Sequence, residues 1–300
     1  MRPTFRSGSH LKLPMTAVPP PTTAPKPFLK WAGGKTQLLS QIAPHFPTEF
    51  NHYCEPFTGS AAVYWHLYSL REQGVVHFSD VHLADSDAEL VNCYQVVRDE
   101  VDALIEQLTQ HRQQHQQTYY YQIRAQNTAE LSPVARAARL IYLNKTCYNG
   151  LYRVNRAGQF NVPMGRYKNP AIFDTTALQS ASRALQGVEV VQADFRELLH
   201  WAQAGDFIYF DPPYAPLSKT SSFTSYTADA FGEQEQVELA AVLHELDQRG
   251  CKVMLSNSWT PAILALYQDF HCLELKASRA INSKASKRGP VSELLALNYP

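Results

Sequence analysis

Asp211-Pro212-Pro213-Tyr214 is where residue types converge most closely on chemistry in this 300-residue chain. The tetrapeptide follows the apolar run "DFIYF", so it falls where a buried strand leaves its sheet. Consecutive prolines cannot extend a ladder or offer backbone donors, which stiffens the turn and leaves the carbonyls of Asp211 and Pro212 facing outward. A carboxylate, a free carbonyl and an aromatic ring then share one small space. That set suits a planar amine: Asp211 and the Pro212 carbonyl each accept an N–H, while the Tyr214 ring stacks on the attached base. The plain alternative, a strand-terminating Asp-Pro turn, fits the tetrapeptide alone but not its surroundings, where Glu55, Asp85 and Asp194 also end strand-like runs.

A second stretch, "FLKWAGGKTQLL", places Gly33-Gly34-Lys35-Thr36 where a phosphate cradle could be sought. A P-loop requires a glycine five positions before its Gly-Lys-Thr end, and a strand ahead of it. Leu29 occupies that position, and the upstream "PPPTTAPKP" cannot form a ladder strand. A triphosphate site is excluded on those grounds.

The elements that must position these residues alternate. Strand-like "HYCEPF", "VHLAD", "VEVVQADF", "DFIYFDPPY" and "KVMLSN" are interleaved with helical "AAVYWHLYSL", "AELVNCYQVVRD", "RELLHWA" and "EQVELAAVLHELDQRG". Such βα units predict a mainly parallel sheet covered by helices, with ligands bound at the carboxyl ends of its strands. Residues 101–180 break the rhythm. They run from a Gln- and Tyr-rich segment through the helical "PVARAARLIYLN" to "YNGLYRVNRAGQFNVPMGRYK", where Asn149-Gly150 and Ala157-Gly158 mark turns of one or two β-hairpins. The expected organisation is therefore a disordered tail (1–27), a first catalytic part with the cofactor site (28–100), an inserted target-recognition domain (101–180) and a second catalytic part carrying DPPY (181–300).

Composition bounds the function. With 45% apolar residues the chain can bury a sizeable core, and no apolar run approaches the ~18 residues that span a bilayer. No secretory h-region is legible, and the five cysteines are scattered and never paired as C-x-x-C, so a cytoplasmic protein with reduced thiols and no structural zinc is expected. Net charge is zero, yet residues 131–173 contain no acid while holding Arg136, Arg139, Lys145, Arg153, Arg156, Arg166 and Lys168. A second acid-free run carries Lys276, Arg279, Lys284, Lys287 and Arg288. Two basic surfaces offset by acidic helices elsewhere fit a nucleic-acid partner. His111 and His115 lie four apart in a polar stretch and are expected on a solvated helix face rather than on a metal.

"PFLKWAGGK", "EPFTGSAAV", "LADSD", "IYLNKTCYNGLYRVNRAGQFNVPMGRYK", "DPPYAPLS" with "FTSYTADAF", and "SELLAL", in that order, resemble the Dam-type DNA adenine methylases. These are S-adenosylmethionine-dependent amino-methyltransferases of the α group, and the similarity runs from about Phe28 to Pro300. The resemblance implies a Rossmann-like methyltransferase sheet with an inserted, mostly helical target-recognition domain carrying a β-hairpin. It implies transfer of a methyl group from S-adenosylmethionine to N6 of an adenine flipped from double-stranded DNA at GATC, by a monomer without a metal. Trp31, Lys35, Glu55, Gly59, Asp85, Asp194, Phe195 and Asp211 would contact the cofactor, Asp85 through the ribose hydroxyls; Asp211, Pro212 and Tyr214 would hold the base. Arg153 would read a guanine edge, Tyr148 would wedge into the stack, Leu151 and Pro163 would touch base edges, and Lys30 would meet the outer guanine. Asn149, Arg166 and Lys168 would hold phosphates. One departure stands out: the family's first loop reads F-x-G-x-G, whereas this chain has Ala61 at the last position. Two alternatives share these residues: an N4-cytosine or RNA amino-methyltransferase, and a DNA-binding protein without turnover.

Overall fold

Strands buried on both faces fix the architecture. Phe207–Phe210 (β4) is buried at every position, as a parallel strand flanked by helices must be. The computed structural model describes residues 24–215, 231–278 and 290–300. The expected tail up to Thr23, the end of "DPPYAPLS", nearly all of "FTSYTADAF", and Arg279 to Arg288 of the second basic run lie outside the described residues.

Seven strands form one sheet in the order β3-β2-β1-β4-β5-β7-β6. They are His52–Glu55 (β1), Asp80–Asp85 (β2), Glu189–Gln192 (β3), β4, Lys252–Ser258 (β5), His271–Ser278 (β6) and Pro290–Leu297 (β7). β1 to β5 are parallel, and β7 runs antiparallel between β5 and β6. The chain builds outward from β1 to β3 and then returns to lay β4 on the other side of β1. The gap between the carboxyl ends of β1 and β4 is thus a topological switch point, the place where such sheets bind ligands. Glu55 ends β1 there, and Asp211 follows β4.

The helices are Leu39–Ile42 (α1), Ala62–Glu72 (α2), Ala88–Asp99 (α3), Val101–Gln113 (α4), Gln117–Ala125 (α5), Pro133–Thr146 (α6), Thr175–Ala184 (α7), Glu233–Gln248 (α8) and Pro261–Leu266 (α9). Strand side chains alternate between two cores. Tyr53, Leu83, Phe207, Tyr209 and Leu295 face a cluster that continues into Tyr120, Leu140 and Leu143 of the insertion. Cys54, Ile208, Phe210, Leu255 and Leu294 face a second cluster with Leu239, Leu243 and Leu246 of α8. The run "RELLHWA" forms a 3-10 helix over Phe195–His200, begun by a reciprocal capping box between Asp194 and Glu197.

Turn chemistry shapes the end of the insertion. Asn149 (φ 55°) and Gly150 (φ 66°) are both left-handed, and the Leu151 N–H donates to the Tyr148 carbonyl, the geometry of a type I′ turn. The next turn closes with the Gly158 N–H on the Asn155 carbonyl and pairs Val154 with Phe160. The expected hairpin forms as isolated bridges rather than long strands.

Two expectations about charged and polar residues of the insertion are corrected. His111 is buried rather than solvated: it stacks on Tyr142, its Nδ1 lies 2.7 Å from the Tyr119 hydroxyl, and burial pushes it down to about 4. His115 reaches the Tyr142 hydroxyl at 2.9 Å. In the first basic run, two cations are structural. Arg136 pairs with Glu89 of α3, and Arg139 is buried, donating from Nε to the Ile123 carbonyl (2.9 Å) and from Nη2 to that of Arg124 (2.8 Å). A buried guanidinium thereby gives the carbonyls at the end of α5 a charged donor, in addition to the Gln126 N–H that reaches Ile123. Replacing Arg139 with Met should lower stability by about 2 kcal/mol in urea unfolding, since those carbonyls lose a charged donor. DNA affinity of the folded variant should be unchanged.

Candidate active site

The carboxyl edge of the sheet gathers residues from segments far apart in sequence. At the switch point the Lys35 ammonium lies 2.6 Å from Asp211 Oδ1, with only 3% of the Lys35 side chain and 18% of the Asp211 side chain exposed. Lys35 also donates to the Gly33 carbonyl at 2.6 Å and sits 4.7 Å from the centre of the Tyr214 ring. Burial raises the Asp211 pKa, and the Lys35 charge opposes that rise. The pair engages Oδ1; among the described residues nothing bonds Oδ2 or the Pro212 carbonyl.

The rest of the turn is anchored. Buried Gln236 of α8 donates to the Pro213 carbonyl at 3.0 Å and accepts from Asn257 of β5 at 2.9 Å. The Tyr214 hydroxyl donates to Glu293 of β7 at 2.7 Å. Burial, followed by the charges of Asp211 and Glu293, raises the Tyr214 phenol well above its ordinary value and keeps it a donor.

Beside this turn, the loop after β1 wraps toward β2. Glu55 is buried and accepts from the Tyr53 hydroxyl at 2.9 Å; burial pushes its pKa well up. Asp85, at the end of β2, accepts the Gly59 N–H at 3.0 Å and the Asp87 N–H at 3.0 Å, and burial pushes it up to about 6. Gly59 is left-handed (φ 46°), and a Cβ there would sit 2.9 Å from Cδ1 of Trp31, so the indole closes over this loop only because position 59 is glycine. Ala61 also adopts a left-handed conformation (φ 51°), where the family's glycine would be unstrained, and it caps the buried start of α2.

Trp31, Lys35, Glu55, Gly59, Asp85 and Asp211 are therefore brought together. Phe195 is buried, stacked on Phe57 at 5.5 Å. Asp194 differs: its carboxylate is turned to Arg196 (2.7 Å) and to the Arg196 N–H (2.9 Å), as the capping role requires.

The residues expected to meet DNA form a continuous block with the cofactor loop. Asn144, fully buried at the end of α6, accepts the Lys30 N–H (2.8 Å) and donates to the carbonyls of Lys30 (2.7 Å) and Gly150 (3.2 Å). Trp31 stacks on Tyr152 at 4.8 Å. The Lys30 side chain crosses Gly150 so closely that a Cβ would meet its Cδ at 2.3 Å, and its ammonium lies over the Tyr167 ring. Tyr148, 51% exposed, stands at the tip of the type I′ turn with Asn149. Arg153, Pro163, Arg166 and Lys168 are exposed and Leu151 is half-buried; Arg153 Nε donates to Asn161 at 2.6 Å. Asn144, Tyr152, Gln236, Asn257 and Glu293 are structural members that the sequence reading did not assign. Asn144, Tyr152 and Glu293 fall within the quoted motifs, but neither type nor spacing announces their partners.

A mostly parallel sheet whose switch point holds an oxygen-lined, aromatic-flanked turn defines a Rossmann-like α/β fold with a ligand site at its carboxyl edge. Residues 31–281 match the family model described as D12 class N6 adenine-specific DNA methyltransferase, and the chain belongs to that family. It is 45% identical over 291 residues to the type II methyltransferase M.MjaIII of Methanocaldococcus jannaschii, covering 91% of this chain and 99% of that one. It is 42% identical to the type II methyltransferase M1.LlaDCHI of Lactococcus lactis subsp. cremoris (91% and 95% covered). It is 34% identical to a DNA adenine methylase of Vibrio cholerae (91% and 96% covered). The protein is thus an adenine-specific DNA methyltransferase. Among the described residues no helix is long and apolar enough to cross a membrane.

The family implies S-adenosylmethionine as cofactor, and the donor set fits it. A strand-end carboxylate at Asp85 can accept hydroxyl donors, and the left-handed Gly59 keeps open a cradle under Trp31 that a side chain would fill. Replacing Gly59 with Ala should displace the indole and weaken cofactor binding at least tenfold in calorimetric titration, because both the backbone and the Trp31 contact are strained.

Proposed function

We propose that the protein transfers a methyl group from S-adenosylmethionine to N6 of an adenine extruded from double-stranded DNA, at GATC sites, acting as a monomer. One observation carries the reading: among the described residues no hydrogen bond engages Asp211 Oδ2 or the Pro212 carbonyl, two acceptors beside the Tyr214 ring at the switch point. Adenine N6 is a poor nucleophile because its lone pair is delocalised into the ring. Two acceptors that take its hydrogens favour a pyramidal amine and direct the lone pair outward. The Lys35 charge opposes the rise that burial imposes on the Asp211 carboxyl. Bound S-adenosylmethionine would supply the electrophilic methyl, with Asp85 holding ribose hydroxyls, Trp31 and Phe195 offering apolar walls, and Glu55 and Gly59 shaping the loop. A base inside a duplex cannot reach this recessed turn, which supports extrusion, with Tyr214 stacking on the base.

For DNA, the exposed Arg153, Arg166 and Lys168 and the protruding Tyr148 support a major-groove reading. The parallel N–H donors of Arg153 suit O6 and N7 of guanine, worth about 1–3 kcal/mol of discrimination, and Arg166, Lys168 and Asn149 suit phosphates. The DNA adenine methylase name of the Vibrio cholerae relative supports adenine as the target base; GATC as the site rests on the resemblance of the recognition segment around Tyr148 to Lys168. The recognition block spans residues 101–180, in our reading a target-recognition domain between two catalytic parts.

Tritiated S-adenosylmethionine with duplexes containing GATC or a scrambled site tests this. Label should appear as N6-methyladenine in GATC duplexes, and Asp211→Ala should abolish it while leaving DNA binding within about twofold. Label on cytosine, or equal labelling of both duplexes, would refute the assignment. A pH dependence follows from Asp85. Its carboxyl, pushed up to about 6, is neutral below that pH and cannot serve as a double acceptor. Cofactor affinity should therefore rise with pH through about 6 and level off above it, by up to roughly tenfold per unit on the acid side. Calorimetry from pH 5 to 8 checks this, and Asp85→Asn should flatten the profile.

A further inference from the structure

We propose that Glu293 is a positioning residue for the acceptor base: it holds the Tyr214 ring in its stacking orientation before DNA arrives. This rests on the reading of Tyr214 as the stacking surface. The DPPY backbone, fixed by two prolines and by Gln236 on the Pro213 carbonyl, sets where Tyr214 leaves the chain. It does not set the rotation of the ring. Among the described residues the one hydrogen bond to the ring hydroxyl comes from Glu293 Oε2, which accepts at 2.7 Å, while the Lys35 ammonium covers one ring face at 4.7 Å. No other aromatic ring of the described residues stacks on Tyr214. The ring is thus held by one edge and one face.

The position of Glu293 in the sheet explains how it reaches the site. β7 is antiparallel, so its beginning lies at the carboxyl edge of the parallel strands, and Glu293 is in register with Ser258 at the end of β5. The next four residues, Leu294 to Leu297, are buried in the two cores. Glu293 is therefore a carboxylate at the mouth of the site on a strand whose following residues are locked by packing. A side chain presented in this way can orient its partner with little freedom of its own. Ordering Tyr214 beforehand removes rotamer loss from the step in which the extruded base stacks.

The test uses the full-length protein, a GATC duplex with 2-aminopurine at the target position, and methylation kinetics. Glu293→Ala should lower the flipping fluorescence and kcat/KM for DNA by roughly tenfold, the size expected for a lost hydrogen bond to a carboxylate. Cofactor affinity should stay within twofold. Glu293→Gln, whose amide oxygen still accepts, should recover most of the loss. Tyr214→Phe should reproduce the Glu293→Ala defect, and adding Glu293→Ala to it should cost less than a further twofold. If Glu293→Ala fails to fold in a thermal melt, Tyr214→Phe and Glu293→Gln carry the decision. Wild-type flipping and kinetics in Tyr214→Phe, or equal losses from Glu293→Ala with and without the Tyr214 hydroxyl, would overturn the proposal. Failure of the wild-type protein to methylate adenine or to flip the base would instead refute the reading of the site itself.

Discussion

The buried ion pair between Lys35 and Asp211 is the constraint on which the site depends. Each charge is taken largely out of water, so neither is tolerated there alone. Lys35 comes from the segment before β1 and Asp211 from the end of β4, so satisfying the pair fixes the Gly-Gly-Lys segment against the switch point. The same ammonium lies over Tyr214, so one cation organises the carboxylate and the ring together. Burial raises the Asp211 pKa, and the lysine opposes that rise. Asp85 and Glu55 have no such cation among the described residues, and burial pushes both up.

A second constraint joins this pocket to the surface proposed to read DNA. Asn144 spends three hydrogen bonds on two backbone segments, one beside Trp31 and one in the Tyr148–Leu151 turn. Trp31 meets the cofactor loop at Gly59 on one side and Tyr152 on the other. A shift of the Tyr148–Leu151 turn must therefore disturb the indole over the Gly59 loop. The aromatic and aliphatic residues of α5 and α6 extend the core on one face of the sheet, so the insertion is rigidly backed rather than tethered.

Charge along the insertion divides by partner. Arg136 and Arg139 serve α3 and the end of α5, whereas Arg153, Arg166 and Lys168 project from turns with solvent around them. Lys145 lies between these groups. It is half-buried near Lys26 and Lys30, and burial, followed by their charge, pushes it down to about 8. Composition counted all these cations alike because burial is not a property of a residue type.

The sequence by itself determined the strand and helix alternation and the turn chemistry of Asn149-Gly150, and it singled out Trp31, Lys35, Gly59, Asp85, Asp211 and Tyr214, which the fold brings to the carboxyl edge of the sheet. Each of these follows from local periodicity, from the conformations that proline and glycine impose, or from motifs that keep their order along the chain. Tertiary structure alone decided which distant side chains satisfy one another: that Lys35 sits on Asp211, that His111 is buried among tyrosines, and that Glu293 reaches Tyr214 from an antiparallel strand 79 residues away. Such pairings depend on strand order and register, which bring together residues whose separation along the chain carries no signal.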